Sequence, residues 1–213
     1  MPSRDSSQTK SVILGVTGAS GAAVARCLLQ MLEADVRVTK IHLVASKSAL
    51  RVAQHELGIK TNNLEDLAEL YKGSRTRKTV CLPEDDIGAS IASGSYPADW
   101  MLIAPCSMGT LGRIANGLSS SLIERAADVT LKERRPLVLS LRDSPFNRVH
   151  MENMLLAHQS GATIFPIVPS FYDNPSTLDG MVTQYCRRVL GHLNLTQTGQ
   201  YQWKGDPTNT QKG

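Results

Sequence analysis

The sequence predicts an α/β fold, a single domain built on a doubly wound parallel sheet, and three observations predict it. Five short apolar runs punctuate the chain, nearly continuous in Val, Ile, Leu and Ala, as strands covered on both faces must be. Segments long enough for helices separate them, the alternation that carries one parallel strand to the next. The 213 residues, 41% apolar and 20% charged, are enough for one domain with a well-covered core.

The first run, residues 12–16, leads into Thr17-Gly18-Ala19-Ser20-Gly21 and then a helix over 22–33. Such a turn lets backbone N–H groups and the positive end of a helix face a phosphate. It lacks the Lys-Ser/Thr ending of a P-loop and the spacing of GxGxxG. Close packing of strand on helix therefore explains it too. The second run, 41–45, ends in Ser46 rather than the acidic residue that grips a nicotinamide-cofactor ribose, which weakens a dinucleotide reading. A helix over 48–56 follows. Residues 60–86 are polar and irregular and read as a surface excursion.

Ser90, Ser93, Gly94 and Ser95 form a small-residue loop before the third run, 101–104. That run meets Pro105 and a hydroxyl-rich turn, Ser107-Met108-Gly109-Thr110. A helix over 119–134 carries Arg125, Lys132 and Arg134, with Arg135 next; a solvated helix end would explain this basic cluster equally well. The fourth run, 137–141, delivers Arg142 and Asp143 at its C-terminal end. A helix over 148–160, a fifth run over 163–168 and a rigid corner, Phe171-Tyr172 between Pro169 and Pro175, come next. Tyr172 either packs in the core or offers its hydroxyl to a ligand. The last helix spans 176–193, with Ser176 as N-cap. Residues 1–10 read as a disordered tail, 11–195 as the folded domain, and 196–213 as a second tail in which only Trp203 suggests docking.

Ligands of open α/β sheets sit at the C-terminal edge of the strands. Hydroxyls, cations and one carboxylate converge on that edge here, a site for a phosphorylated small molecule. The net charge of +4 suits an anionic metabolite better than duplex nucleic acid, which calls for a clustered basic face. No apolar run approaches the roughly 20 residues that span a bilayer. Cys27, Cys81, Cys106 and Cys186 are widely spaced, without a CxxC pair or a Cys/His metal pattern. They point to a reducing compartment, the cytoplasm, or the mitochondrial matrix of a eukaryote. Cys106 reads as a small buried residue rather than a nucleophile. His55, His150, His158 and His192 have no partner at catalytic spacing.

Five motifs together resemble the UbiX-type flavin prenyltransferases: GASGA at 18–22, SGS at 93–95, PCSxxT at 105–110, ERAADVxLKERRPLVL at 124–139 and PxFYxxP at 169–175. The likeness runs over about residues 12–203. It implies a flavodoxin-like or Rossmann-like subunit in a homo-oligomer, a dodecamer, with sites at subunit contacts. It implies transfer of a dimethylallyl group from dimethylallyl phosphate to N5 and C6 of reduced FMN, without a metal. The prenylated FMN so made serves UbiD-type decarboxylases. By the same resemblance, Gly18, Ala19 and Ser20 lie against the flavin, the Ser20 hydroxyl near N5. Ser46 and Ser107, Met108, Gly109 and Thr110 hold the ribityl phosphate side, and Arg142 contacts the flavin. Lys132, Tyr172 and Arg188 bind the allylic phosphate, helped by Arg125 and by Ser93 and Gly94, while Trp203 covers the site. Ser20, Lys132, Arg125 and Asp143 carry the chemistry.

One position departs from the pattern: Asp143 stands where the family has Glu, a proton-handling residue. Two rival readings follow. One is a flavin-dependent cysteine decarboxylase of related fold, against which the Arg/Lys set argues. The other is a flavin carrier without transferase activity.

Overall fold

The computed structural model describes residues 9–61, 63–72, 77–172 and 174–201. The chain divides into two compact units, the first ending at Val168 and the second beginning at Pro169. Trp203 and residues 1–8 lie outside the described residues.

The first unit holds six strands: β1 (Lys10–Val16), β2 (Val38–Ala45), β3 (Thr79–Cys81), β4 (Trp100–Cys106), β5 (Leu137–Leu141) and β6 (Ala162–Ile164). Every pairing is parallel and the order is β3-β2-β1-β4-β5-β6. All seven residues of β4 and all five of β5 are buried, so helices must cover both faces. They are α1 (Ala22–Ala34), α2 (Lys47–Leu57), α3 (Leu64–Lys72), α4 (Met108–Ala115), α5 (Leu122–Lys132) and α6 (Arg148–Gln159). The strand order reverses between β1 and β4. Successive crossovers leave that point in opposite directions, which opens a crevice at the C-terminal ends of the two strands.

The five expected strands are all present, the one expected over 163–168 reduced to Ala162–Ile164, and a sixth joins them. Residues 60–86 are not a mere excursion. They hold α3, whose Leu67, Ala68 and Tyr71 are buried where it packs on α1, and the edge strand β3. Glu33, fully buried at the end of α1, fixes β3 by accepting hydrogen bonds from the Thr79 N–H (3.0 Å) and hydroxyl (2.5 Å). The hydroxyl-rich turn is likewise the start of a helix. Ser107 is the N-cap of α4, and Met108, Thr110, Leu111 and Ile114 are its buried face.

The second unit contains α7 (Leu178–His192). Its N-cap is Thr177 rather than Ser176, because the Thr177 hydroxyl reaches the Gly180 N–H at 3.0 Å. Cys106 is fully buried as expected, and burial pushes its thiol up to about 12 against the opposing charge of Arg113. None of the four cysteines is in a disulfide.

Candidate active site

Thr17, the residue after β1, fastens the two sides of the crevice. Its hydroxyl donates to the Pro105 carbonyl and accepts from the Ser107 N–H, both at 2.8 Å. With its 3% exposure this pair of bonds is shielded from water. Ser46, at the end of β2, caps α2 by accepting from the Ala49 N–H at 3.1 Å. Ser107, at the end of β4, accepts from the Thr110 N–H at 3.3 Å and lies 3.1 Å from the Thr110 hydroxyl. Two helices thus begin at this sheet edge, each presenting the positive end of its dipole.

Between them lies a cleft of ≈ 200 Å³, walled by Thr17, Gly18, Ser46, Ser107, Thr110 and Arg113. Any side chain at Gly18 would force the turn and α2 apart, since a β-carbon there would stand 2.3 Å from that of Ser48. Hydroxyls, helix N-termini and one guanidinium are donors suited to a phosphate, and Glu84 and Glu124 complete the lining. Met108 sends its side chain into the core, and Gly109, beside it, is exposed. What Met108 offers a ligand is backbone.

Ser20 lies in the turn between β1 and α1, and there a residue that sequence reasoning missed meets it. Glu56, from α2, accepts from the Gly21 N–H at 3.0 Å and the Ala22 N–H at 2.8 Å. Burial by itself would raise the Glu56 carboxyl. The Ser20 hydroxyl, these two N–H groups and the charge of Arg142 outweigh it and hold the group below the ordinary carboxylate range. Ser20, Glu56 and Arg142 therefore form one electrostatic cluster. No local motif announces it, because the carboxylate arrives from another helix.

A second cluster forms around the SGS loop. Arg135 donates to the Gly94 and Tyr96 carbonyls, both at 2.7 Å, and Arg125 donates to the Ala92 carbonyl at 3.2 Å. The Ser93 and Ser95 hydroxyls are 2.9 Å apart. Lys132 lies over this loop, for a β-carbon on Gly94 would come within 2.6 Å of its Nζ. The ammonium donates to Glu133 at 2.5 Å. His42, another residue absent from the sequence reading, anchors the loop from β2, its Nε2 lying 2.7 Å from the Tyr96 hydroxyl. Burial, assisted by Lys40, lowers His42 to about 4, so it is neutral near pH 7.

Arg142 and Asp143 are exposed at the C-terminal end of β5, where the Asp143 carboxylate accepts from the Ser144 N–H at 2.8 Å. Ala19 is half-buried in the β1–α1 turn. Lys132 belongs to the first unit; Tyr172 and Arg188 belong to the second, where both are exposed. The Tyr172 ring stacks on that of Tyr201 with centroids 6.1 Å apart. No group of His, Cys, Asp and Glu able to hold a metal occurs among the described residues.

The family model described as Flavoprotein matches residues 1–179. The flavin prenyltransferase UbiX of Deinococcus radiodurans is 41% identical over 196 residues, covering 92% of this chain and 94% of its own. The chain belongs to the UbiX family of flavin prenyltransferases. The UbiX of Escherichia coli is 40% identical over 187 residues, 88% of this chain and 93% of its own. Among solved UbiX structures, AnUbiX (PadA1) in complex with FMN and dimethylallyl pyrophosphate superposes with a TM-score of 0.83 at 34% identity, over 93% of this chain and 99% of that one. A dodecameric FMN-dependent UbiX-like decarboxylase from Escherichia coli gives 0.82 at 37%, over 92% and 100%. The cypemycin decarboxylase, at 17% identity and a TM-score of 0.55, shares the fold alone, and the cysteine-decarboxylase reading gains nothing beyond that.

Proposed function

We propose that this chain is a flavin prenyltransferase, moving a dimethylallyl group from dimethylallyl phosphate to N5 and C6 of reduced FMN. The observation that carries the reading is the hydroxyl-walled cleft at the reversal of strand order, in a chain 41% identical to a flavin prenyltransferase. Reduced flavin, when bound, supplies the electron-rich ring that the allyl carbon joins.

The protein's part is to bind, orient and neutralise. Ser46, Ser107 and Thr110, with the backbone of Met108 and Gly109, hold the flavin phosphate at the N-termini of α2 and α4. Gly18, Ala19 and Ser20 lie against the ring, and Arg142 contacts it. Glu56 fixes the Ser20 hydroxyl and is placed to exchange a proton with it. Cleaving the allylic C–O bond leaves the electron pair on the departing phosphate. Lys132 and Arg125, with the Ser93–Gly94 loop, hold that phosphate, and fixed cations stabilise the charge it gains; by the family resemblance Tyr172 and Arg188 are further phosphate ligands. Asp143 returns a proton to it.

The product, prenylated FMN, is passed to a UbiD-type decarboxylase. The active form is a homo-oligomer, a dodecamer; the exposed Val149, Met151, Leu155 and Leu156 on α6 support self-association. No described helix is long and apolar enough to cross a membrane. The reading places the enzyme in the cytoplasm, or in the mitochondrial matrix of a eukaryote.

Anaerobic incubation of the protein with reduced FMN and dimethylallyl phosphate, followed by mass spectrometry of the extracted flavin, tests the activity. A flavin heavier by one isoprene unit is expected. Unchanged flavin that still binds the protein would mean a carrier instead.

A further inference from the structure

Arg113 was not among the residues singled out from the sequence, yet it contributes the only cation to the cleft wall among the described residues. It leaves the second turn of α4, and its Nη1 lies 3.6 Å from where a β-carbon on Gly109 would stand. The guanidinium therefore runs back along the helix toward its N-terminus, over a position with no side chain. Its Nε is bonded to Oε1 of Glu124, a carboxylate only 3% exposed.

Glu124 is itself rigid. Its second oxygen accepts from the Ser120 N–H at 2.8 Å, the Ser120 hydroxyl at 2.5 Å and the Ser121 N–H at 3.1 Å. Burial would raise this carboxyl, but the Ser120 and Arg113 bonds outweigh it and keep the group ionised. Glu84 also faces the cleft, its carboxylate accepting from the Lys47 N–H at 3.0 Å. One Arg against two Glu leaves the lining side chains at a net charge of −1. Without Arg113 a phosphate would meet two carboxylates with no side-chain cation between them. With it, Glu124 is neutralised through Nε alone, and the two terminal nitrogens keep N–H groups for a second anion. Arg suits this double use, because its donors are arrayed as a planar fork.

We propose that Arg113, seated by Glu124, makes the cleft select a phosphorylated flavin over the unphosphorylated one. The inference rests on the flavin reading above and deepens it. It assigns Arg113 as a phosphate-binding, specificity-determining residue and Glu124 as its positioning residue. The helix termini and hydroxyls suit any polar group, whereas Arg113 rewards only a charged one.

Titration of the oxidised flavins FMN and riboflavin, followed by flavin fluorescence and by calorimetry, tests it on wild type, Arg113→Met and the double variant Arg113→Met/Glu124→Gln. Wild type is expected to bind FMN more tightly than riboflavin. Arg113→Met should weaken FMN roughly 10- to 100-fold, the range for losing a hydrogen bond between charged groups, and change riboflavin by less than about threefold. The double variant, in which no buried carboxylate is left unpaired, should remain weak for FMN. Equal losses for both flavins, or no loss, would overturn the proposal. So would recovery of FMN affinity in the double variant, because Arg113 would then serve only to neutralise Glu124. Wild-type protein that bound neither flavin would sink the flavin reading itself and this inference with it.

Discussion

Gly18→Ala probes the wall that the β1–α1 turn shares with α2. The added β-carbon would stand 2.3 Å from the β-carbon of Ser48, and 3.4 Å from its Cα and carbonyl carbon. Non-bonded carbons rest at about 3.5–4.0 Å, so the turn and the first turn of α2 must separate by about 1 Å. Neither atom can rotate away, because both are attached directly to backbone. Overpacking of this kind costs about 1–3 kcal/mol, and each kcal/mol lowers the Tm of a domain this size by roughly 2–4 °C. Ser46 and Gly18 both line the cleft and would move apart with this separation. A 1 Å misplacement can reduce turnover by about 10²-fold. Thermal denaturation and FMN titration of Gly18→Ala, Ser48→Gly and the double variant isolate the contact. Ser48→Gly removes the atom that collides, so the double variant should regain most of what Gly18→Ala loses. Strict additivity of the two single losses would refute the steric argument.

Glu56→Gln keeps the shape but loses the charge that accepts from α1. After discounting for its exposure, a loss of about 1 kcal/mol is expected near neutral pH. The folded-state pKa of Glu56 is lowered, so its stabilisation is complete above the ordinary carboxylate value of about 4.3 and is lost as pH falls through the depressed one. Chemical denaturation of both proteins should give a constant gap between pH 6 and 8 that closes in acid; a gap that widened in acid would contradict the assignment. Lys132→Met should raise KM for dimethylallyl phosphate about tenfold or more while leaving FMN affinity in place. An equal loss of FMN affinity would move Lys132 to the wrong end of the site. Asp143→Glu should retain or raise turnover, since positioned acid–base help is typically worth about 10²–10⁴-fold. Loss of all prenyl transfer in that variant would count against a proton-handling Asp143.

The central strands were legible because burial on both faces writes itself into composition. Residues 12–16 and 137–141 could hardly be anything else. β3 was not legible, because a three-residue edge strand carries little apolar signal and is fixed by Glu33, 46 residues earlier in the chain. Residues 107–110 read as a turn, with no helix expected directly after them, because Gly109 and Gly112 depress helix propensity. Burial of Met108, Leu111 and Ile114 overrides that propensity. Along the cleft, Gly18, Ser46, Ser107 and Thr110 were named by the family resemblance, and Gly18, Ser107 and Thr110 also lie in turns at a sheet edge that the topology makes predictable. Glu56 and Arg113 were not named. Each lies inside a helix, at a position that reads as an ordinary solvated charge until the packing of α1 on α2 and of α4 on α5 gives it a partner.

A crystal structure of the FMN complex tests the central assignment most directly. The flavin phosphate is expected in the cleft between Ser46 and Ser107, at the N-terminus of α4, with the ring against Ser20. Density for FMN elsewhere, such as the open surface of α2 around Arg51, Gln54 and His55, would contradict it.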